Sequence, residues 1–271
     1  MFIDTHCHIN MMVKKEFDVL LAPHQIEQAV DVIKRSQAAG IQAFINVGTS
    51  VPESLNSVAL AKHYTAVYAT VGLHPCDCTP EWRKDFEQIK KLAQHKEENK
   101  IVAIGEIGLD FYHKPFDMQR QKDAFKAQIE LALEYKLPLS VHVRDAGEET
   151  LRVLEEYARE IRGAVIHCFS QNKDFANVVL EWGFYVGIDA PIGYPKNQQL
   201  RDVAAAIPLE RIILETDSPF LPPQEFRGRP NSPEYLPLFV PVIAELKGVS
   251  AQEVGRVTTD NACKLFGIEL T

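Results

Sequence analysis

The sequence predicts an α/β protein with one (β/α)8 barrel that occupies residues 1–271 as a single domain. Three observations carry this prediction. Eight short apolar runs alternate with segments of helical periodicity, which is the pattern of repeated β–α units. The length of 271 residues is ordinary for one such barrel. Acidic and imidazole residues follow the ends of the apolar runs, where barrels of this class build their active sites.

The predicted strands are short, apolar and mostly without alternation. This pattern is typical of parallel strands that are covered on both faces. In chain order they are Phe2–Thr5, Ala43–Val47, Val67–Gly72, Ile101–Gly105, Leu139–Val143, Ala164–His167, Phe184–Ile188 and Arg211–Glu215.

Helical segments with recognisable ends lie between these strands. The pattern over Ile26–Ala39 stops at Gly40, a residue type that often terminates helices. Ser50 and Ser250 are each followed three residues later by glutamate, which predicts capping boxes.

Three further segments complete the predicted layout. Asp117 is expected to cap a long helix that runs to about Tyr135. Pro80 is expected at a first helical position. The segment Pro219–Pro237 is rich in proline and lacks clear periodicity, so it predicts a long loop after strand eight.

The composition excludes several classes of protein. The net charge is −8, and a protein that coats DNA with its whole surface is usually basic. A nucleic-acid end or a small phosphoester remains compatible, because bound dications invert the local field. No apolar run approaches the ~20 residues of a membrane span. We therefore expect no membrane partner, and no obligate protein partner is evident.

The cysteines predict the compartment. The chain has five, and the odd count and irregular spacing favour free thiols in a reducing compartment over a disulfide framework. The N-terminus shows no basic segment followed by an apolar stretch, so we expect no signal peptide. These features predict a cytoplasmic protein.

A group of imidazoles and carboxylates predicts a metal centre. His6 and His8 stand two residues apart, so in a strand they point to the same face. Further candidates follow the ends of later strands, namely Glu106, His142, His167 and Asp217. Taken alone, either of the two later histidines is more often a hydrogen-bonded core residue. Because parallel strands end at one face of the barrel, the six together favour metal binding.

Two divalent ions need several such donors and at least one bridging group. We assign His6, His8 and Asp217 to one ion, and His142 and His167 to the other. Glu106 has two oxygens and a middle strand position, which makes it the candidate bridge. The donor types suit zinc or manganese, and magnesium remains open.

Six ordered motifs extend this prediction over nearly the whole chain. They are Asp4-x-His6-x-His8, Val71–Pro75 (VGLHP), Gly105–Asp110 (GEIGLD), His142-x-Arg144-Asp145-Ala146, His167–Ser170 (HCFS) and Glu215–Pro219 (ETDSP). Together they resemble the motifs of TatD-type metal-dependent deoxyribonucleases, which belong to the amidohydrolase superfamily of metal barrels.

The resemblance implies a two-metal hydrolase that trims nucleic acid, often from the 3′ end. It also implies that magnesium commonly supports the nuclease activity. The resemblance further implies that the six residues named above correspond to the metal ligands of the family and that Asp217 serves as general base. Asp217 and Glu106 are the predicted catalytic residues. Two positions depart from the family pattern. Gln171 stands where glycine is common, and Lys264 where arginine is frequent. Gln171 lies beside the predicted site mouth, so its departure concerns substrate preference.

Other residues are candidates for binding substrate. His74 follows strand three on the same face and is predicted to bind substrate phosphate or shape the pocket, with a loop role as the alternative. Arg227, Arg229 and Asn231 lie in a segment that resembles one of the family, and arginine forks suit phosphate oxygens. The alternative for these residues is a solvated basic loop.

Two further carboxylates are expected to support the site. Asp110 is predicted either to orient a ligand through a hydrogen bond or to serve as a turn residue. Glu215 precedes Asp217 by two residues and faces the same way, so we expect it to steady the site.

The leading hypothesis is phosphodiester hydrolysis by a metal-activated water. The second hypothesis is hydrolysis of an ester, lactone or amide, since the same metals would polarise a carbonyl. A scaffold protein that binds metal without catalysis would predict eroded ligands, and all six are present.

Overall fold

A computed structural model describes residues 1–14 and 16–270 of the chain. Its centre is a sheet of eight parallel strands in chain order, each paired with its neighbours in the sequence. The strands are β1 (Phe2–Cys7), β2 (Ile41–Asn46), β3 (Val67–Val71), β4 (Ile101–Asp110), β5 (Leu139–Arg144), β6 (Ala164–Ile166), β7 (Tyr185–Ile188) and β8 (Ile212–Leu214).

Backbone contacts just after β8 close the sheet onto β1. A parallel bridge pairs Cys7 with Ser218. The Asp217 N–H donates to the carbonyl of His6 at 2.8 Å, and the His8 N–H donates to the carbonyl of Ser218 at 2.7 Å. The predicted (β/α)8 barrel is therefore confirmed. The same bonds join the chain segments that carry His6, His8 and Asp217.

Helices follow the strands and cover the barrel. They are α1 (Ile9–Met12), α2 (Pro23–Ala38), α3 (Val51–His63), α4 (Trp82–Gln94), α5 (Met118–Tyr135), α6 (Gly147–Glu155), α7 (Lys173–Glu181), α8 (Gln198–Ala206), α9 (Leu236–Lys247) and α10 (Ala251–Phe266). None of these helices is both long and apolar enough to cross a membrane, within the residues that the structure describes.

The predicted helix caps are present at three positions. Ser50, Asp117 and Ser250 each accept a hydrogen bond from the backbone N–H three residues later. The predicted return contact from the glutamate is wrong in both capping boxes, because the Glu53 side chain binds Lys14 and the Glu253 side chain binds Arg256 instead.

Predicted boundaries differ from the structure at several positions, and three of these differences change the layout. Pro80 precedes α4, which begins at Trp82, so the prediction that it opens the helix is wrong. The loop after β8 contains two short 3-10 turns and ends where α9 begins, at Leu236. Strand β4 runs to Asp110 rather than to Gly105, because β5 continues to pair with it beyond an irregularity. Glu106 therefore lies within its strand rather than after it.

The buried apolar residues form a large cluster and a smaller one. The large cluster lies between strands and helices and includes Phe44 and Phe125. The smaller one joins strand residues such as Ile3 and Ile213 to Leu265 and Phe266 of α10. Because strands β1–β8 are parallel, their carboxyl ends all lie at one face of the barrel, and the polar residues of the site collect at that face.

Candidate metal centre

Glu106 lies at the centre of a group of buried imidazoles at the carboxyl face of the barrel. Its Oε2 atom is 3.4 Å from His6 Nε2 and 4.0 Å from His8 Nε2. Its Oε1 atom is 2.9 Å from His142 Nδ1 and 2.8 Å from His167 Nε2. The two oxygens of one carboxylate thus face two separate pairs of histidines, which is the arrangement of a bridging ligand.

Asp217 lies beside the two histidines at the end of β1, His6 and His8. Its Oδ1 atom is 3.4 Å from His8 Nε2 and 3.7 Å from His6 Nε2. The Asp217 side chain is 14% exposed, whereas that of Glu106 is 6% exposed. Asp217 is therefore the carboxylate of this pair that solvent reaches more easily.

Each imidazole of the group also has a rear nitrogen, meaning the ring nitrogen that points away from Glu106. In the four residues concerned, this rear nitrogen faces a hydrogen-bond acceptor; they are His6, His8, His142 and His167. The partner is Ser140 Oγ for His6 and the Val47 carbonyl for His8. For the other two it is a carboxylate: Asp110 Oδ2 lies 3.1 Å from His142 Nε2, and Glu215 Oε1 lies 3.7 Å from His167 Nδ1, which is beyond hydrogen-bond distance. A proton on the rear nitrogen leaves a lone pair on the front nitrogen, as a metal-binding histidine requires.

The buried atoms of this group fit a cation. His6 Nε2 is buried and has no hydrogen-bond partner among the described residues. Burial and the neighbouring His167 hold the pKa of His6 below its usual range, so its ring is neutral. Burial raises the pKa of Glu106, but His167, His74 and His142 outweigh this effect and leave it well below its usual value. Burial lowers the pKa values of His8, His142 and His167, but the carboxylates beside them outweigh burial and raise them. Imidazoles gathered around an ionised carboxylate are a donor set for a divalent metal, which would displace their protons.

His74 differs from the other four imidazoles. The Cys76 N–H donates to its Nδ1 atom at 3.1 Å, so the proton lies on Nε2. That nitrogen points at Glu106 Oε1 at 3.5 Å. Burial lowers the pKa of His74 to about 3, and the ring is neutral. His74, Glu106 and His142 lie close enough to share an ion, but the proton on Nε2 makes His74 a hydrogen-bond donor toward the site.

Asp110 positions His142. Its Oδ2 atom accepts from His142 Nε2 at 3.1 Å and from His113 Nδ1 at 2.8 Å. Its Oδ1 atom accepts the backbone N–H groups of Tyr112 and His113. Asp110 therefore takes both of the roles that the sequence left open, as an orienting carboxylate and as a turn residue.

Asp4 supports the other side of the site and was named in the sequence only within a motif. It is buried, and it accepts hydrogen bonds from the backbone N–H and the hydroxyl of Thr216 at 3.0 and 2.6 Å. Burial raises the pKa of Asp4 to about 7 despite these bonds. The contact fixes the residue before Asp217 against the strand that carries His6.

Gly108 lets β4 and β5 approach each other at His142. It has a φ of +139°, and a Cβ atom at this position would lie 2.0 Å from the carbonyl oxygen of His142. Any side chain would push the two strands apart, which accounts for glycine between Glu106 and Asp110.

The predicted substrate residues fall into two groups. His74 lines the cleft above the candidate metal centre. Arg227 is exposed and stacks over the ring of Tyr194 at 4.7 Å, and Arg229 is exposed in the same loop. Asn231 is buried and donates to the carbonyls of Thr216 and Leu221. Its amide is thus engaged within the loop, and the phosphate contact of this residue stays a prediction.

The cleft has a volume of about 1030 Å³ and opens over the metal centre. Gln171 lies at its wall and donates to the carbonyl of Val143 at 3.2 Å. Arg144, Asp189 and Tyr194 also line the cleft but received no role in the sequence analysis. Arg144 ends β5 and Asp189 follows β7. A search for polar residues at the carboxyl end of every predicted strand would therefore have identified both as candidate site residues.

A parallel barrel with imidazoles and carboxylates at the carboxyl ends of its strands defines the class of metal-dependent hydrolases. Comparison with known proteins agrees with this class. The sequence profile of the family described as "TatD related DNase" matches residues 3–267. The chain belongs to this family.

Similar proteins extend over nearly the whole chain. The uncharacterized metal-dependent hydrolase YabD of Bacillus subtilis is 34% identical, with 99% of this chain and 100% of YabD covered. The 3′-5′ ssDNA/RNA exonuclease TatD of Citrobacter rodentium is 38% identical, with 89% and 92% covered. The crystal structure of YJJV, a TatD homologue from Escherichia coli, superposes with a TM-score of 0.89 at 30% identity, with 99% and 98% covered.

Proposed function

We propose that this chain hydrolyses phosphodiester bonds at the 3′ ends of single-stranded nucleic acid and uses two divalent ions. The observation that carries the proposal is the position of Glu106, with one oxygen toward each pair of imidazoles. The substrate class is supported by the relative of 38% identity that is named as a 3′-5′ ssDNA/RNA exonuclease.

The ligands are assigned by the ring nitrogens and carboxylate oxygens that face one another across the site. His6, His8 and Asp217 would hold one ion, and His142 and His167 the other, with Glu106 between them. Nitrogen and carboxylate donors are compatible with magnesium, manganese or zinc. When bound, such ions acidify water and neutralise charge on phosphate oxygens.

Two residues of the chain take part directly in the proposed reaction. Asp217 accepts the proton of the attacking water. Burial raises the pKa of Asp217, but His8 and His6 outweigh this and lower it, so the group is ionised and ready. The Nε2–H of His74 donates to a phosphate oxygen as negative charge develops there.

The surroundings fit a nucleic-acid end rather than a long duplex. The exposed aromatic residues Phe17, Tyr112 and Phe220 line the cleft and offer stacking surfaces to unpaired bases. Arg227 and Arg229, at the rim of the loop after Asp217, are proposed to contact longer substrates. A cytoplasmic location is proposed from the odd number and irregular spacing of the cysteines.

The test compares two bond types on one preparation. The protein is treated with a chelator, dialysed, and reloaded in turn with magnesium, manganese and zinc. Hydrolysis of bis(p-nitrophenyl) phosphate is measured beside that of p-nitrophenyl acetate and a γ-lactone. We expect metal-dependent turnover of the phosphodiester that is lost in Asp217→Asn, although this variant still binds metal. Turnover of the acetate or lactone alone would contradict the proposal and favour a carbonyl hydrolase.

A further inference from the structure

The cleft over the metal centre has an unusual balance of charge for a site that receives nucleic acid. Eight aspartate and glutamate side chains line it, of which Glu53 is paired with Lys14. Arg144 is the single lysine or arginine among the described lining residues. Divalent ions would offset the carboxylates at the floor of the cleft. A second phosphate of the same strand would lie beyond those ions and would still face the remaining carboxylates.

Arg144 lies at the wall of the cleft, close to His142. It is the last residue of β5 and stands two residues after His142, so both side chains leave the same face of the strand. Pairing with β4 fixes this register, with His142 opposite Gly108 and Arg144 opposite Asp110. Two strand residues span roughly 6.6 Å. This distance is comparable with the separation of neighbouring phosphates in an extended single strand.

The guanidinium of Arg144 is held in place without being neutralised. It lies over the ring of Tyr112, 4.1 Å from the centroid. No carboxylate forms an ion pair with it within residues 1–14 and 16–270. Stacking occupies the face of a guanidinium and leaves the N–H groups at its edge free for an anion. Arg144 is also exposed, so an incoming strand can reach it.

We propose that Arg144, held on Tyr112, binds the phosphate next to the scissile one. This inference rests on the proposed function. At a 3′ end only a nucleoside lies beyond the scissile phosphate, so the neighbouring phosphate is on the 5′ side. The site therefore prefers substrates with a phosphate one nucleotide upstream of the bond that breaks. Arg144 acts in binding and specificity, separate from the groups that move the proton.

The test uses two dinucleotides that differ in one group. Thymidylyl-(3′→5′)-thymidine has a single phosphodiester, and its 5′-phosphorylated form adds the upstream phosphate. We expect kcat/KM of the unmodified protein to be about tenfold higher on the phosphorylated form, the effect of one charge-assisted hydrogen-bonded contact. In Arg144→Gln this ratio falls to about 1, and Arg144→Lys gives an intermediate ratio because it keeps the charge and loses the fork.

Salt dependence supplies a second readout that a purely structural role would not change. Loss of one phosphate contact should reduce the slope of log(kcat/KM) against log salt by about 0.7 on single-stranded DNA. The matched control is Arg83→Gln, which removes another guanidinium stacked on an aromatic ring, Trp82 at 4.5 Å, away from the cleft. Arg83→Gln should keep both the ratio and the slope.

The outcomes separate the two proposals. An unchanged tenfold ratio in Arg144→Gln, or a ratio near 1 in the unmodified protein, would overturn the role of Arg144 and leave the proposed function standing. Failure of the unmodified protein to cleave either dinucleotide or longer single strands would overturn the proposed function and this inference with it.

Discussion

The imidazole rings of His6 and His167 stack face to face, with centroids 3.9 Å apart and planes at 10°. One ring comes from β1 and the other follows β6, so the barrel brings together two groups that are far apart in the chain. Two protonated rings at this distance would repel each other. A metal ion needs both rings neutral, and metal binding must therefore compete with protonation.

This competition predicts that metal affinity rises with pH. Burial lowers the pKa values of His8, His142 and His167, but the neighbouring carboxylates outweigh burial and raise them, so these imidazoles lose their protons only as the pH rises above the usual range of histidine. The dissociation constant for manganese or zinc should therefore fall as the pH rises through neutrality. Calorimetric titration in two buffers with different heats of ionisation would measure the protons released on binding. Equal affinity on either side of neutrality, with no proton release, would show that these histidines are not ligands.

Asp110 should control metal affinity through His142. Asp110→Asn replaces the carboxylate that accepts from His142 Nε2, and we expect metal affinity to fall about 10- to 100-fold. The measurement is a competition titration against a metallochromic chelator. Asp117→Asn is the control, because it keeps a capping side chain at the start of α5 and should leave the affinity unchanged. Similar affinities for Asp110→Asn and Asp117→Asn would show that Asp110 does not control metal affinity.

His74 should affect the rate without shaping its pH dependence. Burial lowers its pKa to about 3, so it is neutral throughout the range in which the enzyme would be assayed. His74→Ala removes a donor to the phosphate and should lower kcat about 100-fold, while the inflections of the pH–rate profile stay in place. His24→Ala, at an exposed position in α2, serves as the control. An inflection that disappears in His74→Ala would mean that His74 exchanges protons during turnover.

Glu53 should stabilise the fold at neutral pH and lose this effect in acid. Burial raises its pKa, but hydrogen bonds from Lys14, Asn56 and Asn10 outweigh burial and leave it below the usual value. A carboxyl with a depressed pKa contributes stability above its unfolded value of 4.5 and loses it as the pH falls through the folded value.

The corresponding variant is Glu53→Gln, measured by urea unfolding at several pH values. We expect it to lower the free energy of unfolding by about 3 kcal/mol at pH 7, because it leaves the buried ammonium of Lys14 without its partner. The difference from the unmodified protein should shrink as the pH drops below 4.5. Glu245→Gln, at an exposed position in α9, should change neither value, and a constant difference at all pH values would contradict the linkage.

The sequence located the candidate site because of a property of the fold. Parallel strands end at one face, so residues that follow separate apolar runs, such as His6 and Asp217, must lie near each other. The end of β4 could not be predicted in this way. The glycines around Glu106 interrupt the apolar pattern, and only the close approach of Gly108 to His142 shows that the strand continues.

The roles of two other residues depend on tertiary contacts that the local sequence pattern does not predict. Asn231 was expected at phosphate, but its amide binds carbonyls 10 and 15 residues away, and such contacts depend on how the loop folds back. Arg144 received no role, although it shares a strand face with His142. Its significance depends on the acidity of the whole cleft and on the ring of Tyr112, which only the assembled barrel brings together.

The most direct measurement is digestion of 5′-labelled single-stranded DNA by chelator-treated protein, before and after reloading with magnesium, manganese or zinc. We expect a ladder that shortens from the 3′ end, that appears only with metal, and that is absent with Asp217→Asn. Persistence of the full-length strand with every ion, in protein shown to hold metal, would contradict the assignment of this chain as a nuclease that acts on 3′ ends.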